Sequence, residues 1–197
     1  MLDNLKKYKI VLGTQSPRRQ TLFKELGLAY KVIVKDDIDE TFPEYLQGED
    51  IVLFLADKKS KAYEDMLNDN ILIITADTIV WFDNQVLGKP VDMKDAKAML
   101  QKLSGRRHTV YTGVSLRTKD QQQLFFDTTY VDFKVLSNDE IDYYLQKYAP
   151  LDKAGAYGIQ EWIGYIGVEG IEGSYFNVMG LPIQKLYTTL QRFKPYK

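Results

Sequence analysis

The sequence predicts an α/β fold, a mixed and twisted β-sheet with flanking helices. Segments with strand and helix patterns alternate along most of the chain. Residues 71–74 form a short continuous apolar run, which is typical of a central strand covered on both faces. Residues 108–117 and 123–135 form two long segments rich in Val, Thr, Tyr and Phe around a polar turn, which favours an antiparallel pair. Both kinds of strand pairing are therefore expected in one sheet.

The first segments follow a strand, helix, strand order. Residues 9–12 are predicted as the opening strand, and residues 30–35 alternate polar and apolar side chains like a second one. Between them Ser16 is expected to be a helix N-cap, with Pro17 at the first helical position. Gly27 supplies the stop signal of this helix.

The next segments predict a helix, the central strand and a hairpin. Apolar residues recur at helical spacing from about residue 50 to 66, so a helix is expected there. The apolar strand at 71–74 should end at Ala76-Asp77-Thr78. Residues 78–82 and 85–87 flank an Asp-Asn pair and predict a hairpin.

The remaining segments predict three helices and a glycine-rich region. One helix should begin at Asp92 and stop at Gly105, with Ala96, Met99, Leu100 and Leu103 facing inward. A capping box opens another helix at residues 137–148. Residues 150–180 are dense in glycine, which predicts a loop-rich surface where backbone approaches a ligand. Pro182 should start a last helix.

Composition narrows the function classes. The chain has 197 residues, 45% of them hydrophobic and 27% charged, which fits one domain or at most two small ones. It has no cysteine and one histidine, His108, so thiol chemistry and histidine-rich zinc sites are excluded. Any metal must then be held by Asp and Glu oxygens, which suit Mg²⁺ or Mn²⁺. The net charge of −1 argues against nucleic-acid binding, and the lack of a long apolar run predicts a soluble cytoplasmic protein without membrane partners.

The motif Ser16-Pro17-Arg18-Arg19 places two guanidinium groups in a first helical turn. Free N–H groups and the helix dipole favour an anion there, and two cations oppose the dipole unless an anion neutralises them. Arg forks bind phosphate oxygens well. A solvated helix start with surface salt bridges explains the same residues, so these four leave both interpretations open.

Two carboxylates are candidates for chemistry. Asp77 follows the buried strand, where ligand sites of α/β sheets form, and an acid there must be capped, paired or metal-bound. We favour a functional role for Asp77 over a turn cap. Glu40 ends an acidic cluster at residues 36–40, which alone is explained equally well as a solvated loop.

Four further polar residues stand out. Lys59 shares the inward stripe of its predicted helix and must extend outward or meet an anion. Lys89 lies between Gly88 and Pro90, although loop lysines are common. We interpret His108 as a hydrogen-bonded structural residue, and Gln160 carries an amide that could read a base edge or bind backbone. Cations with two carboxylates match metal-assisted displacement on a polyphosphate.

The chain resembles the Maf family of nucleoside triphosphate pyrophosphatases. Its motifs appear in order over about residues 11–190: Ser16-Pro17-Arg18-Arg19, Asp39-Glu40, Lys59, Ala76-Asp77-Thr78, Leu87-Gly88-Lys89-Pro90, Leu103-Ser104-Gly105-Arg106 with His108, Tyr111-Thr112-Gly113, Asp152-Lys153-Ala154-Gly155-Ala156-Tyr157-Gly158-Ile159-Gln160, and Gly173-Ser174-Tyr175 with Asn177 and Gly180-Leu181-Pro182. The ordered series is highly specific.

The resemblance implies an inosine-triphosphatase-like (Maf/Ham) architecture, a single domain spanning residues 1–197 with two lobes around a central cleft, a homodimer and a divalent cation. It implies hydrolysis of dTTP and UTP to the monophosphate and pyrophosphate, limiting incorporation of noncanonical nucleotides. The implied roles are a general base and metal ligand at Asp77, a second metal ligand at Glu40, specificity residues at Arg18, Thr78 and Gln160, and substrate-binding residues at Ser16, Arg18, Arg19, Lys59 and Lys89.

The family name also carries a second hypothesis, a nucleotide-sensing or partner-binding regulator of septum formation and cell division. Such a protein needs the phosphate-binding residues but no base. Both carboxylates are present here, which favours catalysis.

Overall fold

The computed structural model describes residues 2–68 and 70–195. In this part of the chain the strands are β1 (Lys9–Leu12), β2 (Tyr30–Val32), β3 (Ile71–Phe82), β4 (Gln85–Leu87), β5 (Arg107–Arg117), β6 (Gln122–Phe133) and β7 (Val168–Glu172). The helices are α1 (Pro17–Lys24), α2 (Glu49–Lys61), α3 (Met93–Leu103), α4 (Asn138–Tyr148), α5 (Trp162–Gly167), α6 (Tyr175–Val178) and α7 (Ile183–Arg192). Short 3₁₀ turns occur at Asp3–Leu5, Glu64–Met66 and Ala154–Ala156.

The strands form one mixed sheet, as predicted. Its order is β2-β1-β3-β5-β6-β7, and β4 pairs with β3 off this path. The first strand, β1, is parallel to both β2 and β3, whereas β3 with β4 and β6 with β7 are antiparallel pairs. The pair β5 and β6 is joined by a short turn closed by a 2.9 Å hydrogen bond from Thr118 N to Gln121 O.

The expected end of the central strand at Asp77 is wrong, because β3 continues without a break to Phe82. Its first part pairs with β1 through residues 71–74, and its last part pairs with β4 through residues 80–82. Residues 75–79 lie between these two paired segments. The small and β-branched residues around Asp77 are compatible with extended backbone, and the second partner strand allows the chain to stay extended. Asp77 therefore lies inside β3, between the part that pairs with β1 and the part that pairs with β4.

The chain divides into two compact units. The first comprises the described residues within 1–77, 112–127 and 180–197, and the second comprises residues 78–111 and 128–179. The strands β3, β5 and β6 each contribute residues to both units. The helices α1, α2 and α7 belong to the first unit, and α3, α4, α5 and α6 belong to the second.

In the first unit, one apolar cluster centres on Tyr63, which is buried with Val11 and Ile73. The Tyr63 hydroxyl donates to Ile33 O at 2.9 Å and accepts from Lys35 N at 3.2 Å. The predicted helix at 50–66 is accordingly shorter, since α2 ends at Lys61 and a 3₁₀ turn follows Tyr63.

Two long-range contacts close the first unit. The Asn4 amide donates to Leu190 O and Phe193 O, both at 2.8 Å, and so binds the end of α7 to the N-terminal segment. A Cβ at Gly113 in β5 would lie 2.3 Å from Val52 O in α2. Glycine at this position therefore lets the helix pack directly on the strand.

In the second unit, α3 and α4 begin as predicted. Asp92 accepts from Asp95 N at 2.7 Å, and Ser137 with Glu140 forms a capping box. The predicted inward residues of α3 are all buried: Ala96, Met99, Leu100 and Leu103. The expectation of a loop-rich segment at 150–180 is wrong in part, because α5, β7 and α6 lie there. Glycine permits close packing in this segment, as at Gly164, where a Cβ would lie 1.8 Å from Ile159 O.

Candidate active site

Lys59 of α2 joins two carboxylates within the first unit. Its ammonium donates to Asp77 Oδ1 and pairs with Glu40 Oε1 at 2.8 Å. The side chains of Lys59 and Asp77 are only 14% and 10% exposed, whereas that of Glu40 is 47% exposed. The sequence predicts that Lys59 either extends outward or meets an anion, and in the structure it meets an anion. The two carboxylates are thereby brought to one cation.

The loop that carries Glu40 is fastened to α2 by Lys58. The Lys58 ammonium donates to Asp39 Oδ2 at 2.7 Å and to Thr41 O at 2.9 Å. Thr41 in turn donates to Asp39 from its backbone N–H at 2.9 Å and from its hydroxyl at 2.6 Å. The bonds from Lys58, and then those from Thr41, hold the pKa of Asp39 well below its usual range. Two neighbouring lysines of α2 thus hold neighbouring carboxylates of this loop, Lys58 that of Asp39 and Lys59 that of Glu40.

Lys58 is a residue that the sequence analysis missed. It lies outside the inward stripe and resembles an ordinary surface lysine. The available signal was the Asp-x-Thr spacing at Asp39 and Thr41, because Asp side chains in turns bind the backbone N–H two residues on. That spacing predicts the turn, but the distance of 19 positions to Lys58 hides its partner.

The N-terminus of α1 is built as expected. Ser16 Oγ accepts from Arg19 N at 3.4 Å, which confirms the N-cap. The backbone N–H of Ser16 donates to Thr14 Oγ1 at 3.1 Å, so the residue before the helix is also held. Arg19 Nε donates to Gly180 O at 2.7 Å, which ties this helix turn to the segment before α7.

Electrostatics link this helix turn with the carboxylates. Burial lowers the pKa of Arg19, and the charge of Arg18 lowers it further. The negative charges of Asp77 and Glu40 act in the opposite direction and raise the pKa of Arg19. The effect of Asp77 is larger than that of Arg18, and the effect of Glu40 is smaller. The first unit therefore brings together Arg18, Arg19 and Lys59 with Asp77 and Glu40 at the helix start capped by Ser16. Cations beside a helix N-terminus suit a phosphate group.

Three predicted site residues belong to the second unit. Thr78 follows Asp77 in β3 and is partly buried, and Lys89 is exposed in the segment after β4. The carbonyl of Gly88 accepts from Gly155 N at 3.0 Å, which fixes the backbone next to Lys89. Gln160 is partly buried just before α5.

His108 is a structural residue, as predicted. Its Nε2 lies 2.7 Å from the hydroxyl oxygen of Tyr157, and its ring packs edge-on against Phe133 and Tyr157. Burial lowers the pKa of His108 to about 4, so the ring is neutral near pH 7.

The donor set for a metal is small. In residues 2–68 and 70–195, no group of three or more His, Cys, Asp or Glu side chains is arranged to hold an ion. Asp77 and Glu40 remain a pair of carboxylates on a shared cation, Lys59. The same described residues contain no helix long and apolar enough to cross a membrane.

A family model and several named proteins match nearly the whole chain. A family model described as "Maf-like protein" matches residues 9–193. The dTTP/UTP pyrophosphatase of Phocaeicola vulgatus is 55% identical over 98% of this chain and 100% of its own length. Proteins of the same name from Bacteroides thetaiotaomicron and Porphyromonas gingivalis are 52% and 51% identical, over 98% of this chain and 100% and 98% of their own lengths.

A solved structure supports the fold. A HAM1 protein from Coxiella burnetii is similar with a TM-score of 0.52 and 14% identity, over 94% of this chain and 100% of that one. At this identity the likeness concerns the fold alone. It confirms the Maf/Ham architecture expected from the sequence.

Proposed function

The chain belongs to the Maf family, and we propose that it hydrolyses dTTP and UTP to the nucleoside monophosphate and pyrophosphate. Relatives that carry this activity in their names align with 98% of the chain. The observation that carries the proposal is the arrangement of Lys59, Asp77 and Glu40 beside the start of α1. Limiting the incorporation of noncanonical nucleotides is the cellular role that we attach to this reaction.

Asp77 is the proposed general base. In the reaction the oxygen of a water molecule forms a bond to the α-phosphorus, and the bond from that phosphorus to the bridging α–β oxygen breaks. The proton leaves the water for the Asp77 carboxylate, and the electron pair of the broken bond leaves with pyrophosphate. The ion pair with Lys59 supports this role, because a cation partner offsets the cost of removing a mostly buried carboxylate from water.

The phosphate groups are the proposed partners of the cations. Arg18, Arg19 and Lys59 neutralise charge that grows on the leaving group, and the α1 N-terminus adds backbone donors. The Arg19 Nε bond to Gly180 O supports this role, because it fixes one guanidinium group in the first turn of α1. Lys89 keeps the triphosphate-binding role that the resemblance implies.

A divalent cation fits the carboxylates. Mg²⁺ is bound in phosphate-transfer sites by one or two protein carboxylates, with water and substrate phosphate oxygens as the other ligands. Asp77 and Glu40 are such a pair, and the proposal is supported by their shared contact with the Lys59 ammonium. We propose that these two residues hold the ion, which when bound lowers the pKa of water and screens phosphate charge.

The test is pyrophosphate release from a panel of nucleoside triphosphates by the wild type and Asp77→Asn. The amide keeps the shape of the side chain but removes the proton acceptor, so turnover should fall about 10²- to 10⁴-fold. Nucleotide binding, measured by calorimetry, should persist. Asp120→Asn in the exposed turn between β5 and β6 is the matched control and should keep wild-type turnover. Near-normal turnover of Asp77→Asn would refute its assigned role.

A purely nucleotide-sensing regulator is not favoured. The named relatives are hydrolases, and such a regulator has no need of a buried carboxylate paired with Lys59. The homodimer and the cytoplasmic location implied by the resemblance stay predictions.

A further inference from the structure

Glu161 is the centre of a hydrogen-bonded group in the second unit. Its Oε2 accepts from the Tyr144 hydroxyl at 2.5 Å, and its Oε1 pairs with Lys153 at 3.2 Å. The same hydroxyl oxygen accepts from Gly158 N at 3.0 Å. Tyr144 is fully buried, and burial together with the bond to Glu161 raises its pKa, so the hydroxyl remains a donor. The carboxylate of Glu161 is therefore fixed in place by two partners.

The Gln160 amide shares a small space with this carboxylate. Around the point where a Cβ at Gly158 would sit, Glu161 Oε2 lies at 2.9 Å and Gln160 Nε2 at 3.0 Å. The backbone carbonyl of Gln160 accepts from the Tyr165 hydroxyl at 2.8 Å. Within the described part of the chain, Gln160 Oε1 is a buried atom with no hydrogen-bond partner.

The carboxylate distinguishes the two orientations of the amide. A negative charge attracts the NH₂ end of a Gln side chain and repels its oxygen, so rotation by half a turn costs free energy here. The amide is oriented in agreement with this, because Nε2 is the Gln160 atom nearest to the point at Gly158 that Glu161 Oε2 also approaches. The oxygen, which has no protein partner in the described residues, is then the group offered to a ligand.

We propose that Glu161 is a positioning residue that holds the Gln160 amide in one orientation and thereby sets the preference for uracil and thymine over cytosine. The inference rests on the proposed function. Uracil and thymine carry a donor at N3, which matches an oxygen that accepts. Cytosine carries an acceptor at N3 and fits only the rotated amide, with the oxygen of Gln160 turned towards Glu161. A site built on such bonds rejects the wrong partner, because its own polar groups are then unpaired.

The first test is Glu161→Gln, with kcat/KM measured for UTP, dTTP and CTP. The new amide keeps an oxygen for the Tyr144 hydroxyl, and Lys153 keeps its contact with Asp152 at 2.7 Å. Without the charge, the Gln160 amide can rotate, so the UTP-to-CTP ratio of kcat/KM should fall about tenfold. Glu169→Gln on the exposed side of β7 is the matched control and should keep the ratio.

Tyr144→Phe is a second variant that leaves the charge but removes the bond to Glu161 and the acceptor of Gly158 N. The UTP-to-CTP ratio should fall by a smaller factor, about threefold. Tyr143→Phe, on the neighbouring exposed tyrosine, is its control. Thermal unfolding of each variant shows that the comparison is made on folded protein, and if Glu161→Gln does not fold, Tyr144→Phe decides alone.

The outcomes separate the inference from the proposed function. A wild type that releases no pyrophosphate from UTP or dTTP contradicts the proposed function. A wild type that prefers UTP to CTP, with a ratio that stays unchanged in folded Glu161→Gln and Tyr144→Phe, overturns the inference alone. A merely structural role would lower thermal stability and all three kcat/KM values together without changing their ratios.

Discussion

Replacing Lys59 by Met should destabilise the protein and make it depend on a divalent cation. The substitution leaves Asp77 and Glu40 without their shared partner. Removal of one partner from a fully buried pair costs about 3–5 kcal/mol. Asp77 is nearly buried but Glu40 is 47% exposed and contributes little, so we expect a loss of about 2–3 kcal/mol. For a chain of this size the loss corresponds to a fall in Tm of about 4–12 °C.

The assay is unfolding by urea and by heat near neutral pH, first with a chelator and then with Mg²⁺. Added Mg²⁺ should restore part of the lost stability, since an ion that binds only the folded state stabilises it by mass action. Lys61→Met is the control, because Lys61 lies on the same helix with 57% exposure and pairs with Asp57 across one turn. It should change stability by no more than about 0.5 kcal/mol. The reasoning fails if Lys59→Met unfolds like Lys61→Met in the chelator.

Replacing Arg18 or Lys89 by Ala should lower kcat/KM for UTP about 10- to 100-fold, because each loses a charge-assisted contact of about 1.5–3 kcal/mol; unchanged values would mean that neither binds phosphate. Gly113→Ala should cost about 1–3 kcal/mol in urea unfolding, since its Cβ would lie 2.3 Å from Val52 O, and wild-type stability would contradict this packing. Burial lowers the pKa of His108 to about 4 from an ordinary 6.5, so the unfolded chain binds the proton first as the pH falls. Stability from the neutral ring is complete above pH 6.5 and lost towards pH 4, by about 3 kcal/mol. Urea unfolding between pH 7 and 4.5 should show this loss in the wild type and a smaller one in His108→Asn.

The fold was predictable where local patterns agree with the final packing. The N-cap at Ser16, the capping box at residues 137–140 and the inward stripe of α3 all appear as expected. The length of β3 was not predictable, because Ala76-Asp77-Thr78 reads locally like the end of a strand. Its continuation depends on pairing with β4, and no pattern inside β3 reports that its partner changes near Asp77.

The candidate site was also predictable only in part. Helical spacing singles out Lys59, and an inward lysine requires an anion, which the structure supplies twice. Lys58 and Glu161 act through partners distant in sequence, at Asp39 and Tyr144. Nothing in their immediate neighbours distinguishes them from surface charges, so only the assembled structure could identify them.

The Asn4 contacts have a consequence for the order in which the protein is made. The first unit combines residues near the N-terminus with α7, whose Leu186 is fully buried, and Asn4 binds the last turn of that helix. Domains fold during synthesis as their parts leave the ribosome. The second unit is encoded between residues 78 and 179, so its segments emerge before the first unit is complete. A nascent chain therefore carries Lys59 and Asp77 before it has Gly180, the backbone acceptor of Arg19.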